Sequence, residues 1–209
     1  AEADALGLFI IGVEGMPRRY YTYLDQFQPL HAFSTYGSWV LGAGLFLTLY
    51  CFIQSLLSEG DTLVTEDPTY IGMLDIAKTR RINIAGIPID NDGIRLDMLE
   101  SYIIERQPRL IYVMPSFQNP TGTVMPLHRR RQLINLAHQY GVTILEDGVF
   151  HEFRFEGEHI PPLRALDEYG VVIHASGFTK MLLPGIRVGY VISDSKHHQR
   201  LVRVKQSAD

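Results

Sequence analysis

Residues 109–122 read RLIYVMPSFQNPTG. After Arg109 the run to Met114 is wholly apolar, with β-branched Ile111 and Val113. The following eight residues then carry Asn-Pro and Thr-Gly steps that end any regular element. An unbroken apolar run suits a strand covered on both faces, and the turn behind it sets Asn119 just past the strand's carboxyl end. The pattern repeats outward. Residues 62–66, 81–87, 142–146, 171–175 and 187–192 also read as strands, and residues 70–79, 96–105 and 127–140 between them as helices. The helix over 127–140 is the clearest: Pro126 suits its first turn, Leu133, Leu136, Ala137 and Tyr140 form one stripe, and Gly141 closes it. Strands alternating with amphipathic helices predict an α/β domain: three layers, α/β/α, around a mostly parallel central sheet.

In such sheets, ligands bind beyond the carboxyl ends of the strands. Asn119, Asp147 and Lys180 follow the strands predicted to end near 114, 146 and 175. Each residue has an ordinary reading as well: Asn119 as part of an Asn-Pro turn, Asp147 as a strand-end carboxylate, Lys180 as a surface lysine. Tyr70 reads equally as a core aromatic and Arg187 as one half of an ion pair. Taken in chain order, they describe a single requirement. A lysine for a Schiff base, a carboxylate for a pyridinium nitrogen, an amide for a phenolate oxygen and an arginine for a phosphate together predict a pyridoxal phosphate site. Lys180 would hold the cofactor and move the substrate's Cα proton, Asp147 would pair with the ring nitrogen, Asn119 would donate to the phenolate, Tyr70 would stack on the ring and Arg187 would grip the phosphate. Glu146 reads as structural.

The 209 residues, 46% hydrophobic and 20% charged, suffice to bury a sizeable core. A net charge of −4 provides no basic field, so no nucleic-acid contact is expected of this segment, and Arg129-Arg130-Arg131 reads as a solvated helix face. The single cysteine, Cys51, excludes an internal disulfide and fits a reducing, cytoplasmic setting. No secretory leader pattern opens the sequence. Residues 39–53 are uncharged and nearly all apolar. That run is shorter than the roughly 20 residues a membrane-spanning helix needs, so it reads as a buried helix. The eight histidines show no metal-ligand spacing along the chain, and no metal is expected.

At Glu66-Asp67-Pro68-Thr69-Tyr70, Pro115 to Gly122, Glu146-Asp147 with Phe153-Arg154-Phe155, and Lys180 to Tyr190, the chain resembles the fold-type I pyridoxal phosphate enzymes. Within them it looks closest to the class I/II aminotransferases, in the branch of 2-aminoadipate aminotransferase-like enzymes and the aminotransferase-like domains of MocR-type regulators. The resemblance covers roughly residues 54–195. It implies the large domain of that superfamily, a homodimer, and amino-group transfer between an amino acid and a 2-oxo acid. It also implies a phosphate loop near Gly44, whose backbone N–H groups would meet the anion. Three positions depart from the family's pattern. Phe150 stands where a tyrosine usually donates to the phenolate. Gly177 stands where a hydroxyl residue usually meets the phosphate, leaving Ser176 or Thr179 for that contact. The loop near Gly44 lacks hydroxyl and amide side chains.

Residues 1–43 carry no clean period and form a poorly assignable segment, so the expected organisation is an incomplete cofactor-binding large domain over 44–209, with the family's small domain expected beyond Asp209. Two alternatives to an enzyme stay open at this point: a cofactor-binding, non-catalytic effector domain of a MocR/GntR-type regulator, and an inactive fragment.

Overall fold

The computed structural model describes Ile53, residues 56–177, residues 189–195 and His197. All of these except Gly177 and Gly189 belong to one compact unit. The chain runs β1 (Thr62–Asp67), α1 (Ile71–Thr79), β2 (Asn83–Asp90), β3 (Gly93–Ile94), α2 (Leu96–Arg106), β4 (Leu110–Val113), α3 (Leu127–Tyr140), β5 (Thr143–Asp147), α4 (Leu163–Leu166), β6 (Val172–Gly177) and β7 (Gly189–Ile192). One seven-stranded sheet holds the strands in the order β3-β2-β1-β4-β5-β6-β7. The β2-β1-β4-β5-β6 block is parallel, and β3 turns back antiparallel on β2.

Strand register explains why each run is apolar on both faces. One row across the sheet aligns Val64, Ile111, Ile144 and Val172. These side chains pack with Leu99 and Ile103 of α2 and Leu133 and Ala137 of α3. The next row aligns Tyr112, Leu145 and Ile173. It points the other way, as a period of two requires, and packs with Met73, Ile76 and Ala77 of α1. Helices therefore cover both faces, and the three-layer α/β/α arrangement expected from the alternation is the one observed.

The helix α3 spans the residues its stripe predicts and ends at Gly141, whose φ is 66°. Its basic run is not a solvated face, however. Arg131 is exposed, but Arg129 is largely covered, with Nη2 3.1 Å from Asp90 Oδ2, and Arg130 is fully buried. Two short elements, β3 and α4, were not expected from periodicity. Of residues 39–53 only Ile53 is described, and it is buried. No helix among the described residues is long and apolar enough to cross a membrane.

Candidate active site

Asp147 is the last residue of β5 rather than the first beyond it. Its side chain lies on the Leu145 face of the sheet. Tyr112, opposite Leu145 on β4, is its diagonal neighbour. Tyr112 Oη donates to Asp147 Oδ2 at 2.7 Å, and the backbone N–H of Val149 donates to Oδ1 at 3.1 Å. None of the ion pairs found among the described residues includes Asp147. Burial therefore pushes its carboxyl above the ordinary aspartate range, against the two donors that pull it down. The phenol of Tyr112, fully buried beside this anion, is pushed well above its ordinary value, first by desolvation and then by the Asp147 charge.

Tyr70 belongs to the same electrostatic neighbourhood. It caps α1 at its N-terminus, half-buried, and its phenol is raised by burial and then by the charge of Asp147. Its ring folds back over the start of the helix, where a Cβ on Gly72 would fall 2.5 Å from Tyr70 Cζ; only glycine admits the ring there. The Thr69 hydroxyl beside it is buried with no hydrogen-bond partner among the described residues.

Glu66, the penultimate residue of β1, was not singled out by motif reading. It accepts from the Met114 N–H at 3.1 Å, just where β4 has ended, and from Gln118 Nε2 at 3.3 Å. Burial pushes its carboxyl up to about 7, with the Asp147 charge adding to the rise. The Gln118 amide ties this loop to the end of β1. Nε2 also donates to Pro68 O at 2.7 Å, and Oε1 accepts from Thr121 N at 3.0 Å and Thr121 Oγ1 at 2.7 Å. Phe117 takes φ 53°, a left-handed conformation costly for a bulky side chain. Asn119 is thus carried one residue beyond an anchored glutamine, at the carboxyl end of β4, and is half-buried.

Ser176, on β6, donates its hydroxyl to Gly148 O at 3.0 Å, so its proton holds the turn after Asp147. Gly148 has no room for a side chain, because a Cβ would collide with the His174 ring. On the face of the sheet opposite the Asp147 side chain, His174 Nδ1 lies 2.8 Å from Glu146 Oε2. Glu146 also accepts from the N–H groups of Leu163 at 2.7 Å and Arg164 at 3.0 Å, satisfying the start of α4. That is the structural role the sequence suggests for Glu146. Phe150 is half-buried and meets Phe153 edge-on at 5.9 Å. Lys180, Arg187 and Gly44 lie outside the described residues.

The described residues thus bring Asp147 and Tyr70 together, place Asn119 and Ser176 at the ends of neighbouring strands, and add Tyr112 and Glu66. A buried carboxylate held by two neutral donors, with a half-buried aromatic ring in its electrostatic neighbourhood, fits a cationic nitrogen heterocycle such as a protonated pyridine. Along the chain the histidines show no metal-ligand spacing, yet in space His151, Glu152 and His159 bring their ligand atoms within 4.8 Å of one another.

Residues 27–208 match the family Aminotransferase class I and II. The aromatic-amino-acid aminotransferase 1 of Thermococcus litoralis is 37% identical over 158 residues, which cover 73% of this chain and 38% of that protein. A probable rhizopine catabolism regulatory protein, MocR, of Rhizobium meliloti is 33% identical over 139 residues, covering 66% of this chain and 27% of that one. Among solved structures, the α-aminoadipate aminotransferase LysN from Thermus thermophilus, complexed with N-(5'-phosphopyridoxyl)-L-leucine, superposes with a TM-score of 0.74 at 30% identity. That alignment covers 100% of this chain and 56% of that one. The chain spans well under half the length of these curated relatives. The family match extends over most of the sequence, and its large-domain sheet is the one built here, so the chain belongs to the class I and II aminotransferases.

Proposed function

We propose that this chain is the cofactor-binding part of a pyridoxal phosphate-dependent aminotransferase, moving an amino group between an amino acid and a 2-oxo acid. The observation that carries the reading is the buried Asp147 carboxylate, held by Tyr112 and Val149 and lacking a cation among the described ion pairs. Pyridoxal phosphate, when bound, supplies a protonated pyridine ring that takes up the electron pair left when a substrate loses its Cα proton. Asp147 keeps the proton on the ring nitrogen by presenting an anion there, and Tyr112 and Val149 fix the plane of that anion. Tyr70 offers an aromatic face for stacking. Asn119 donates from Nδ2 to the phenolate oxygen. Lys180 would hold the cofactor through Nζ and would serve as the base for the Cα proton. Arg187 meets the phosphate with its planar fork, aided by the Ser176 hydroxyl and the N–H groups near Gly44. For Ser176 this requires releasing Gly148 O, since one proton cannot serve both acceptors. A homodimer in the cytoplasm completes the proposal, and light scattering of the cofactor-loaded chain tests the dimer.

A second reading, a regulator's effector domain that binds cofactor without turnover, is favoured by the likeness to MocR and by Phe150, which offers no hydroxyl to the phenolate. Amino acids that convert the bound cofactor to its amine form, seen as a change in absorbance, favour the enzyme. Stable binding without conversion favours the effector domain.

The proposal is tested by titrating pyridoxal phosphate into the parent and Asp147→Asn. The variant keeps the shape and removes the charge, so binding should weaken at least tenfold, as for a charge-assisted hydrogen bond of about 1.5–3 kcal/mol. Equal affinity would remove Asp147 from the site.

A further inference from the structure

The segment from His151 to His159 has no part in the roles assigned above. It contains no helix or strand and docks on the 115–122 loop at two points. His151 Nδ1 lies 3.3 Å from Ser116 Oγ, and the Arg154 guanidinium sits 5.3 Å from the centre of the Phe117 ring. The rings of His151 and His159 meet at 82° with centroids 4.7 Å apart. Glu152 completes a set of three ligand atoms, one from each residue, all within 4.8 Å of one another.

We propose that His151, Glu152 and His159 form a binding site for a borderline divalent transition-metal cation, with Zn²⁺ as the reference ion. Two imidazoles and one carboxylate match the ligand preference of such ions, and tetrahedral coordination at roughly 2.0–2.2 Å leaves the fourth position to water. Around such an ion the ligand atoms stand roughly 3.4 Å apart, so the cluster has to contract by at most about 1.4 Å. Glu152 and His159 are exposed and free to rotate into place, while His151 is half-buried and already oriented. Ser116 supplies that orientation. Its Oγ accepts from Arg130 Nη2 at 2.9 Å. In the tautomer where His151 donates from Nδ1 to the same oxygen, Nε2 carries the lone pair a cation needs. This is the outer-shell hydrogen bond that metal-bound histidines usually make.

A bound ion would close the 151–159 segment into a loop and brace it against the loop that carries Asn119. The site stands or falls independently of the transamination reading. It is invisible in sequence because His151 and His159 are far apart in ligand spacing, and only the fold of the segment returns one to the other.

The test uses the tag-free full chain, stripped with EDTA, and Zn²⁺ titrated against a chromophoric chelator. One ion per chain is expected, with Kd at or below about 10 μM. His151→Ala and His159→Ala should each weaken binding at least about thirtyfold, and Glu152→Gln at least about fivefold. His128→Ala, on an exposed histidine of another element, should leave binding unchanged. Co²⁺ at the same site should give the intense visible bands of a low-coordinate complex in the parent, absent in His159→Ala. If His151→Ala fails to fold, the exposed His159 and Glu152 variants still decide the matter. Failure to bind Zn²⁺ below about 100 μM overturns the proposal, and so does binding that survives undiminished in both His159→Ala and Glu152→Gln.

Discussion

Glu66 and Asp147 set two carboxyl groups in one buried neighbourhood, where the Asp147 charge adds to the rise that burial imposes on Glu66. For Glu66 the folded value of about 7 exceeds the ordinary 4.5, so the folded chain binds more protons than the unfolded one between those values. Stability contributed by this group is therefore fully present at low pH and is lost as pH rises from about 4.5 through 7, on the order of 3 kcal/mol in all. Glu66→Gln is expected to remove that loss: urea unfolding at pH 5 and pH 8 should show a smaller drop in the variant than in the parent. An identical drop would mean Glu66 is solvated in solution. Tyr112→Phe keeps the packing and leaves Asp147 one donor short, so unfolding free energy should fall by about 1–3 kcal/mol by the same method, and no change would mean the bond contributes nothing. Asp147 and Tyr70 were legible in the sequence because their motifs are contiguous. Tyr112 and Glu66 were not. Their roles depend on the register of β4 against β5 and β1, which the sequence does not state.

Arg130 shows how one side chain organises several elements. From the first turn of α3 it donates to Met125 O at 2.9 Å, Pro161 O at 3.0 Å, Pro115 O at 2.7 Å and Ser116 Oγ at 2.9 Å. Burial lowers its pKa to about 10, so it remains a cation at neutral pH. The guanidinium thereby pins the loop before Asn119 to the chain entering α4. Arg130→Met fills the volume but strands those acceptors, and should cost about 2–4 kcal/mol in urea unfolding. A cost below about 0.5 kcal/mol would show that water replaces the guanidinium freely. At this scale the sequence was legible where the pattern was strong: the α3 stripe shows a helical period, and the unbroken apolar runs mark strands buried on both faces. Two-residue β3 and four-residue α4 show none. The sequence also misled at Arg129-Arg130-Arg131. Three like charges read as a solvated face, and nothing local reveals that the chain returns at Pro161 to accept from the middle one.

For the molecule as a whole, the order of the strands sets Asp147, Asn119 and Ser176 at the ends of adjacent strands. Membership of the class I and II aminotransferases follows from the match over residues 27–208. That this chain holds pyridoxal phosphate through Lys180 is the central claim, and it is tested most directly by covalent trapping. The full chain is saturated with pyridoxal phosphate, reduced with borohydride, digested and mapped by mass spectrometry. One phosphopyridoxyl label is expected, on the peptide containing Lys180, lost in Lys180→Ala. A label concentrated on any other lysine, or one that persists undiminished in Lys180→Ala, would contradict it.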